Sequence, residues 1–249
     1  MVGRVHSIET TGMVDGPGIR YVVFVQGCLM RCQFCHNPDT WDRTGGQVMN
    51  SETLFADLLS YLPYYTVSGG GLTVSGGEPL LQADFVKELF EKCRSRGIHT
   101  ALDTTGIVWN EDVESLLQVT DLILLDLKEM NPEKHRDLTG VYNSSVLQFA
   151  ERVAERNIPV WIRHVMVPGL TDHPDSLDEM GAFIQAMPNV ERVELLPFHK
   201  MGEYKWSQLG IPYRLSDVEP PAEEVMRAAY RRLTRYISAT KFPEMGQCV

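Results

Sequence analysis

Short apolar segments alternate with amphipathic segments along almost the whole chain, and this alternation is the feature that most restricts its fold. The apolar segments have the length and composition of strands. They cover residues 20–26, 72–75, 98–103, 122–126, 160–167 and 193–196. Each is nearly continuous in apolar side chains, which is typical of parallel strands that are covered on both faces by helices.

The connecting segments have the spacing of amphipathic helices. They cover residues 51–62, 83–96, 112–118, 144–156 and 176–187, and a last helix is predicted over 222–237. Parallel strands need helix-sized crossovers, so this order predicts an α/β fold with a parallel sheet. An α/β barrel and an open doubly wound sheet both fit the pattern, and the length of 249 residues does not choose between them.

Composition excludes several classes of protein. With 43% hydrophobic and 22% charged residues, the chain is typical of a folded globular protein. Its formal net charge is −10, and it has no basic cluster of the kind that nucleic-acid binding requires. The apolar runs are far shorter than the roughly 20 residues of a membrane span, and the first residues lack the layout of a secretory signal. We therefore expect a cytoplasmic protein that binds neither membrane nor nucleic acid, and a monomer, because no heptad pattern is visible.

Polar or glycine-containing clusters follow several predicted strands. They are Gly27-Cys28, Ser75-Gly76-Gly77-Glu78, Asp103-Thr104-Thr105-Gly106, Asp126-Leu127-Lys128 and Pro197-Phe198-His199. The carboxyl ends of parallel strands form the active face in α/β folds, so we expect these clusters to converge on one site. Residues 36–50 and 199–221 are predicted to be irregular loops over that site.

Three cysteines are crowded into the loop 27–37, directly after the first predicted strand. Cys28, Cys32 and Cys35 have the spacing Cys-x3-Cys-x2-Cys, whereas Cys93 and Cys248 stand alone. Three thiolates leave one position of a zinc ion or a four-iron cluster open to a ligand from outside the chain. The spacing therefore predicts a metal centre with an open position, and we interpret Cys93 and Cys248 as bystanders.

A structural zinc ion is the alternative for this loop, with His36 as its fourth ligand. Cys35 and His36 are neighbours in sequence, which is an awkward geometry for two ligands of one ion. The spacing favours an iron–sulfur cluster with one open iron.

Single residues at the strand ends have both a functional and an ordinary interpretation. Gly76 and Gly77 let the backbone approach a ligand closely, or they form a plain tight turn. Asp103 and Asp126 would bring two like charges together unless a cation lies between them, or they cap the helices that follow. Arg163 lies inside an apolar strand, where an unpaired charge is costly, so it needs a carboxylate partner.

Two motifs together carry a resemblance to a known family. The cysteine motif, followed by Ser75-Gly76-Gly77-Glu78-Pro79 after the next strand, resembles the radical S-adenosylmethionine superfamily. More narrowly, residues 15–20 (Asp-Gly-Pro-Gly-Ile-Arg) and 26–37 are similar to the activating enzymes of glycyl radical enzymes. The similarity covers nearly the whole chain, including Leu-Asp-Thr, Leu-Asp-Leu-Lys, Val-Trp-Ile-Arg and Glu-Leu-Leu-Pro-Phe-His. It implies the radical SAM fold, a partial (β/α)6 TIM-like barrel, here as a single domain over 1–249.

The resemblance also implies the chemistry. Cys28, Cys32 and Cys35 would bind a 4Fe–4S cluster, and the amino and carboxylate groups of S-adenosylmethionine would chelate its open iron. One electron from the cluster would cleave S-adenosylmethionine to methionine and a 5′-deoxyadenosyl radical. In the activating enzymes this radical removes a hydrogen atom from a backbone glycine of a partner protein, in anaerobic glucose metabolism. Flavodoxin or ferredoxin would supply the electron.

The resemblance further assigns site residues by their position in the motifs. Those implied to contact S-adenosylmethionine are Phe34, Cys35, His36, Gly77, Asp126, Leu127, Lys128, Glu129, Met130 and His199. A monovalent cation, Na⁺ or K⁺, would lie among Asp103, Thr104, the backbone of Leu124 and Asp126. Asp15 and Arg163 are implied to contact the substrate peptide or the cofactor. Phe34 has core packing as its ordinary interpretation, and Lys128 a solvated position.

Residues 36–71 contain no cysteine, which favours an activating enzyme without the ferredoxin-like insert that some relatives carry. Three alternatives remain open from the sequence. They are an activating enzyme for a different glycyl radical enzyme, a radical enzyme that acts on a small molecule, and a binding module stabilised by zinc.

Overall fold

The computed structural model describes residues 1–243, and these residues form two units. The first unit contains residues 1–29 and 40–124, and the second contains residues 30–39 and those from 125 onward. The chain therefore passes from the first unit to the second inside the cysteine loop, between Cys28 and Cys32. Cys248 lies outside the described residues.

The first unit contains five strands in the spatial order β3-β1-β2-β4-β5. They are β1 (Val2–Gly12), β2 (Arg20–Val25), β3 (Gln47–Asn50), β4 (Gly71–Gly76) and β5 (His99–Thr104). β2, β4 and β5 are parallel, whereas β1 is antiparallel to both β2 and β3. The parallel strands end on the same side, where the polar clusters begin.

Four helices accompany these strands: α1 (Ser51–Ser60), α2 (Leu62–Ser68), α3 (Ala83–Arg94) and α4 (Glu111–Leu117). Asparagine side chains cap two of them, because Asn50 accepts a hydrogen bond from the Glu52 amide and Asn110 accepts one from the Val113 amide. α3 packs against β4 and β5, and it buries one apolar face. The buried side chains of that face are Ala83, Phe85, Val86, Leu89, Phe90 and Cys93.

β6 (Leu122–Asp126) contains the boundary between the units, and β7 (Val160–Met166) and β8 (Val190–Pro197) belong to the second unit. β7 and β8 are parallel, with Arg163 opposite Glu194. The helices of this unit are α5 (Pro132–Thr139), α6 (Ser144–Glu155), α7 (Pro174–Gln185), α8 (Glu203–Gln208) and α9 (Glu223–Leu233). Short 3₁₀ turns complete the described elements at Pro38–Thr40, Pro79–Gln82 and Ala239–Lys241.

All six predicted strands are present, as β2 and β4 to β8, and the six predicted helices correspond to α1, α3, α4, α6, α7 and α9. Two strands were missed. Most residues of β1 are exposed or half-buried, and β3 has only four residues, so neither resembles a buried parallel strand. The helices α2, α5 and α8 were missed; they have seven, eight and six residues, and a helix of about two turns shows a helical period only weakly.

Two predicted loops were wrong in part. Residues 36–50 contain β3, whose backbone is paired with β1, and residues 199–221 contain α8. Among the helices of the described residues, none combines the length and the apolar character required to span a membrane.

Leu89→Ala tests the packing of α3. Leu89 is fully buried, so the substitution leaves a cavity and should lower the free energy of unfolding by about 2–5 kcal/mol. Glu91→Ala on the same helix is exposed and should change it by less than about 0.5 kcal/mol. Urea denaturation measures both values, and an equal loss in the two variants would contradict the packing.

Candidate functional site

The Gly76-Gly77 turn lies directly against the end of β2, where the cysteine loop begins. The Gly77 amide donates to the Val25 carbonyl at 2.9 Å, and the Glu78 amide donates to the Gly27 carbonyl at 2.8 Å. A Cβ atom on Gly77 would lie 2.2 Å from the Gly27 oxygen, so any side chain there would displace the backbone that leads to Cys28. Gly77 is therefore required by a backbone contact within the first unit.

Glu78 is a buried carboxylate that ties this turn to the end of β5. Its oxygens accept hydrogen bonds from the hydroxyls of Thr104 and Thr105, each at 2.5 Å, and from the amides of Thr105 and Leu80 at 3.0 and 3.1 Å. Burial raises the pKa of Glu78 even though these four donors act to lower it. Sequence reasoning gave Glu78 no role, although a carboxylate between Gly-Gly and Pro is an unusual residue to bury.

The side chains that alternate along β4 and β5 give the sheet one polar face. Thr73 and Ser75 of β4 lie on the same side as Ala101 and Asp103 of β5, because Thr73 pairs with Ala101 in a parallel register. The Ser75 hydroxyl donates to Asp103 Oδ2 at 2.6 Å. The predicted cation ligands of this unit differ in environment, since Asp103 is half-buried while Thr104 is buried and bonded to Glu78.

In the second unit, the cysteine loop is fastened to the end of α5. The amides of Arg31 and Gln33 donate to the carbonyls of Thr139 and Leu138, at 2.7 and 3.0 Å. The Cys35 amide donates to the Cys32 carbonyl at 3.1 Å, which closes a turn between the two thiols. The sequence 30–35 is thereby held in one conformation.

Lys128 is the buried cation beside this turn. Its ammonium lies 2.7 Å from Asp126 Oδ2 and 5.3 Å from the centroid of the Phe34 ring. Burial by itself lowers the pKa of Lys128, but the Asp126 carboxylate and the Cys32 and Cys35 sulfurs outweigh it and raise the pKa. The alternative of a solvated lysine is wrong, because the side chain is only 9% exposed.

The Cys32 side chain is buried, and burial raises the pKa of its thiol to about 12 against the opposing effect of Lys128. Phe34 packs into an apolar cluster with Leu138, Val167, Phe198 and Leu215. The ring therefore contributes to the core, as its ordinary interpretation predicted, and also lies within reach of Lys128.

Hydrogen bonds to the backbone of β7 and from the Asn143 side chain hold the segment 126–130. The Leu127 amide donates to the Arg163 carbonyl at 3.0 Å, and the Asn143 side chain donates to the carbonyls of Glu129 and Met130. Glu129 Oε1 accepts from the Asn131 amide and from the Ser176 hydroxyl.

Arg163 has the carboxylate partner that its place in an apolar strand requires. Its Nε atom lies 3.7 Å from Glu194 Oε2 on the neighbouring strand β8, and Glu194 also lies 2.8 Å from the Nε atom of Arg192. The structure thus pairs Arg163 with a glutamate of the neighbouring strand.

His36 and His199 stack on each other, with ring centroids 4.0 Å apart. The His36 Nε2 atom lies 3.2 Å from the His199 carbonyl, so an N–H at Nε2 can donate to it. Burial lowers the pKa of both imidazoles, which favours their neutral forms. The chain thus brings together His36 and His199, the first residues of the two predicted loops, with their rings in contact.

α8 covers the cysteine loop and contributes residues that the sequence did not reveal. The Trp206 indole N–H donates to the Cys35 carbonyl at 2.9 Å, and Lys205 Nζ lies 2.9 Å from Asn37 Oδ1 and 3.0 Å from Asp39 Oδ2. The one available signal was an aromatic residue within a polar segment of predicted loop.

Within the described residues, Cys28, Cys32 and Cys35 form no disulfide bond, and three thiols fit the donor set of a 4Fe–4S cluster with one open iron. A buried cation lies beside Cys32 and Cys35, and the turn at Gly77 excludes a side chain from the backbone at Cys28. Within residues 1–243, no three His, Cys, Asp or Glu side chains are grouped as ligands of a single metal ion. A cluster makes no such demand, because its thiolates bind separate irons.

Comparison with known proteins places the chain in a class. The model of the Radical SAM superfamily matches residues 22–180. Among solved structures, Streptococcus suis SuiB bound to S-adenosylmethionine is similar at a TM-score of 0.66 and 16% identity, over 87% of this chain and 47% of that one, which shows the fold.

Similar proteins identify the family of this chain within the superfamily. The pyruvate formate-lyase-activating enzyme of Listeria monocytogenes is 49% identical over 94% of this chain and 96% of its own length, and the pyruvate formate-lyase 1-activating enzyme of Escherichia coli K12 is 49% identical over 95% and 97%. A solved domain of pyruvate-formate lyase-activating enzyme from Bacteroides vulgatus has a TM-score of 0.57 and 31% identity, over 67% of this chain and 94% of its own. The chain therefore belongs to the radical SAM superfamily and, within it, to the family of the pyruvate formate-lyase-activating enzymes.

The family confirms the predicted fold class and the predicted cofactors, a 4Fe–4S cluster and S-adenosylmethionine. The assignment of individual residues to these cofactors and the cation site stay predictions.

Gly77→Ala tests the backbone contact at the turn. The new Cβ would lie 2.2 Å from the Gly27 carbonyl oxygen, so we expect the start of the cysteine loop to shift and the iron content after anaerobic reconstitution to fall severalfold. Gly97→Ala is the control, because the described residues leave open space around its Cβ at a positive φ. It should cost about 1 kcal/mol of stability and keep the iron. Full iron content in the Gly77 variant would contradict the role of this contact.

Trp206→Phe tests the cover that α8 gives to the loop. The substitution keeps an aromatic ring and removes the N–H that donates to the Cys35 carbonyl, so we expect faster iron release to a chelator. Trp161→Phe changes a tryptophan of β7 in the same unit and should leave the release rate unchanged. The release rate is measured by the absorbance of the iron–chelator complex. Equal rates in the wild type and in both variants would show that this hydrogen bond does not protect the loop.

Proposed function

We propose that this chain activates pyruvate formate-lyase by generating a glycyl radical on it. When bound, the 4Fe–4S cluster supplies the electron for reductive cleavage of S-adenosylmethionine to methionine and a 5′-deoxyadenosyl radical, which abstracts a glycine Cα hydrogen. The observation that carries the proposal is the Cys-x3-Cys-x2-Cys loop in a chain that matches pyruvate formate-lyase-activating enzymes over almost its whole length.

Cys28, Cys32 and Cys35 would hold the cluster through their thiolates. The Thr139 and Leu138 carbonyls orient the loop through its backbone, and Trp206 covers it at Cys35. Lys128 places a positive charge beside Cys32 and Cys35, and this charge favours thiolates over thiols.

Gly77 of the first unit and the segment Asp126 to Met130 of the second would each contact S-adenosylmethionine. The Gly77 backbone is held by the hydrogen bond from its amide to the Val25 carbonyl. The segment 126–130 is held by the hydrogen bond from the Leu127 amide to the Arg163 carbonyl of β7 and by the Asn143 side chain, which donates to the Glu129 carbonyl. Phe34, Cys35, the stacked His36 and His199, and Lys128 would contact the rest of the cofactor. The neutral imidazoles favour packing against an adenosine group over pairing with a carboxylate.

A monovalent cation, Na⁺ or K⁺, would bind to Asp103, Thr104, the Leu124 backbone and Asp126. The half-buried Asp103 carboxylate supports this site, since a cation offsets a carboxylate that is partly removed from water. Asp15 and Arg163 would contact the substrate peptide or the cofactor. The main-chain carbonyl of Arg163 already holds Leu127, which supports a place for Arg163 beside the cofactor segment.

The remaining features of the proposal concern the whole protein. Flavodoxin or ferredoxin would donate the electron, because the three-cysteine loop is the sole redox motif in the sequence. We propose that residues 1–249 form one functional domain, and that the protein is monomeric and cytoplasmic.

Replacement of single cysteines by alanine tests the cluster assignment. Cys28→Ala, Cys32→Ala and Cys35→Ala should each lose most of the absorbance near 400 nm and abolish cleavage of S-adenosylmethionine, because a ligand of the cluster is missing. Cys93→Ala is the control, since Cys93 is buried in α3. Equal loss in the Cys93 variant would show that the cluster ligands are misassigned, and a colourless protein with stoichiometric zinc would overturn the proposed function.

Electron paramagnetic resonance tests the substrate. Reduced enzyme, S-adenosylmethionine and pyruvate formate-lyase should together give the doublet of a glycyl radical. Cofactor cleavage without a doublet would point to another glycyl radical enzyme or to a small-molecule substrate.

A further inference from the structure

The loop 13–19, between β1 and β2, folds onto the polar face of the first unit. The Asp15 carbonyl accepts a hydrogen bond from the Thr73 hydroxyl at 2.7 Å, and Gly16 lies beside the Ala101 side chain. Thr73 and Ala101 are in the middle of β4 and β5, on the face that also carries Ser75 and Asp103. Asp15 thus lies on the same face of the sheet as the proposed cation ligand Asp103.

Arg20 lies beneath this loop and is fully buried. Its Nε–H donates to the Thr73 hydroxyl oxygen at 2.9 Å, and its terminal N–H groups donate to the carbonyls of Leu72 at 2.6 Å and Pro17 at 3.3 Å. Burial lowers the pKa of Arg20 to about 10, so the side chain stays cationic at neutral pH, and the charge of Asp15 acts in the opposite direction. A buried guanidinium is costly, and here its hydrogen bonds join two strands to the loop.

The Thr73 hydroxyl connects Arg20 to the loop 13–19. Its oxygen accepts from Arg20, so its hydrogen is free to point at the Asp15 carbonyl. Pro17 is held by the same guanidinium, and Gly16 and Gly18 adopt φ values of +124° and +66° that suit glycine. The chain is therefore held at the Asp15 carbonyl and again at Pro17, two residues further on, before any partner binds.

The residues next to Asp15 indicate which kind of ligand its carboxylate binds. Met13 and Val14 are 77% and 59% exposed, so a pair of apolar side chains stands in solvent directly beside a half-buried carboxylate. A carboxylate accepts from the backbone N–H groups of an extended peptide, and apolar neighbours pack on its side chains. This combination fits a polypeptide segment better than a small polar molecule.

We propose that Arg20 and Thr73 are positioning residues that hold Asp15 and the loop 13–19 ready for the glycine-containing segment of the partner protein. The inference rests on the proposed function, in which Asp15 contacts the substrate peptide. Rigidity before binding lowers the entropy that the complex loses when it forms.

Thr73→Val is the test, because valine keeps the shape of threonine and removes the hydroxyl. The probe is a synthetic peptide of the glycine loop of pyruvate formate-lyase, added to reconstituted enzyme with S-adenosylmethionine. We expect the peptide Kd and the apparent KM for pyruvate formate-lyase to rise about tenfold, while the rate of cofactor cleavage without peptide stays within twofold. Thr73→Ser retains the hydroxyl and should restore the wild-type Kd.

Two further variants separate positioning from stability. Thr100→Val removes another buried hydroxyl of the first unit, one that donates to the Val119 carbonyl, so it should lower Tm about as much as Thr73→Val and leave the Kd unchanged. Asp15→Ala should raise the Kd, and adding Thr73→Val to it should raise the Kd by less than Thr73→Val does alone, because both variants weaken the contact of the Asp15 carboxylate with the peptide.

An unchanged Kd in Thr73→Val, an equal rise in Thr100→Val, or additive effects of Asp15→Ala and Thr73→Val would each overturn the positioning role. A wild-type enzyme that cleaves S-adenosylmethionine but yields no glycyl radical on pyruvate formate-lyase would instead overturn the proposed function.

Discussion

The backbone contact between the Gly76-Gly77 turn and the end of β2 is the constraint on which the first unit's part of the site depends. Two amides of the turn bind carbonyls of Val25 and Gly27, at a separation that leaves no space for a side chain. Glu78 then fastens the same turn to the end of β5 through Thr104 and Thr105. The start of the cysteine loop and two strand ends are thereby set by hydrogen bonds among neighbouring residues.

Three buried charged groups, Glu78, Arg20 and Lys128, have partners that offset their removal from water. Glu78 accepts from four donors, Lys128 pairs with Asp126, and Arg20 donates to a hydroxyl and to carbonyls. Such networks are stabilising only when every member has its partner, so they hold their residues in single conformations. A reaction that forms a carbon radical needs this order, because a misplaced substrate would allow the radical to react elsewhere.

Some strands and helices could be predicted from the sequence and others could not, for physical reasons. β2 and β4 to β8 were found because a strand covered on both faces is a continuous apolar run. β1 and β3 lack that pattern, and α8 is too short to show a period. The same limit hid Trp206, since its hydrogen bond to Cys35 joins residues far apart in sequence.

The sequence by itself determined the α/β class, the three-cysteine motif and the family, because each depends on local spacing or on residue identity along the chain. Only the tertiary structure decided which partner each buried group has. It paired Arg163 with Glu194, Lys128 with Asp126 and Phe34, and Arg20 with Thr73 beneath Asp15. Partners of this kind depend on strand register and on the path of loops, and a residue's neighbours in sequence fix neither of these.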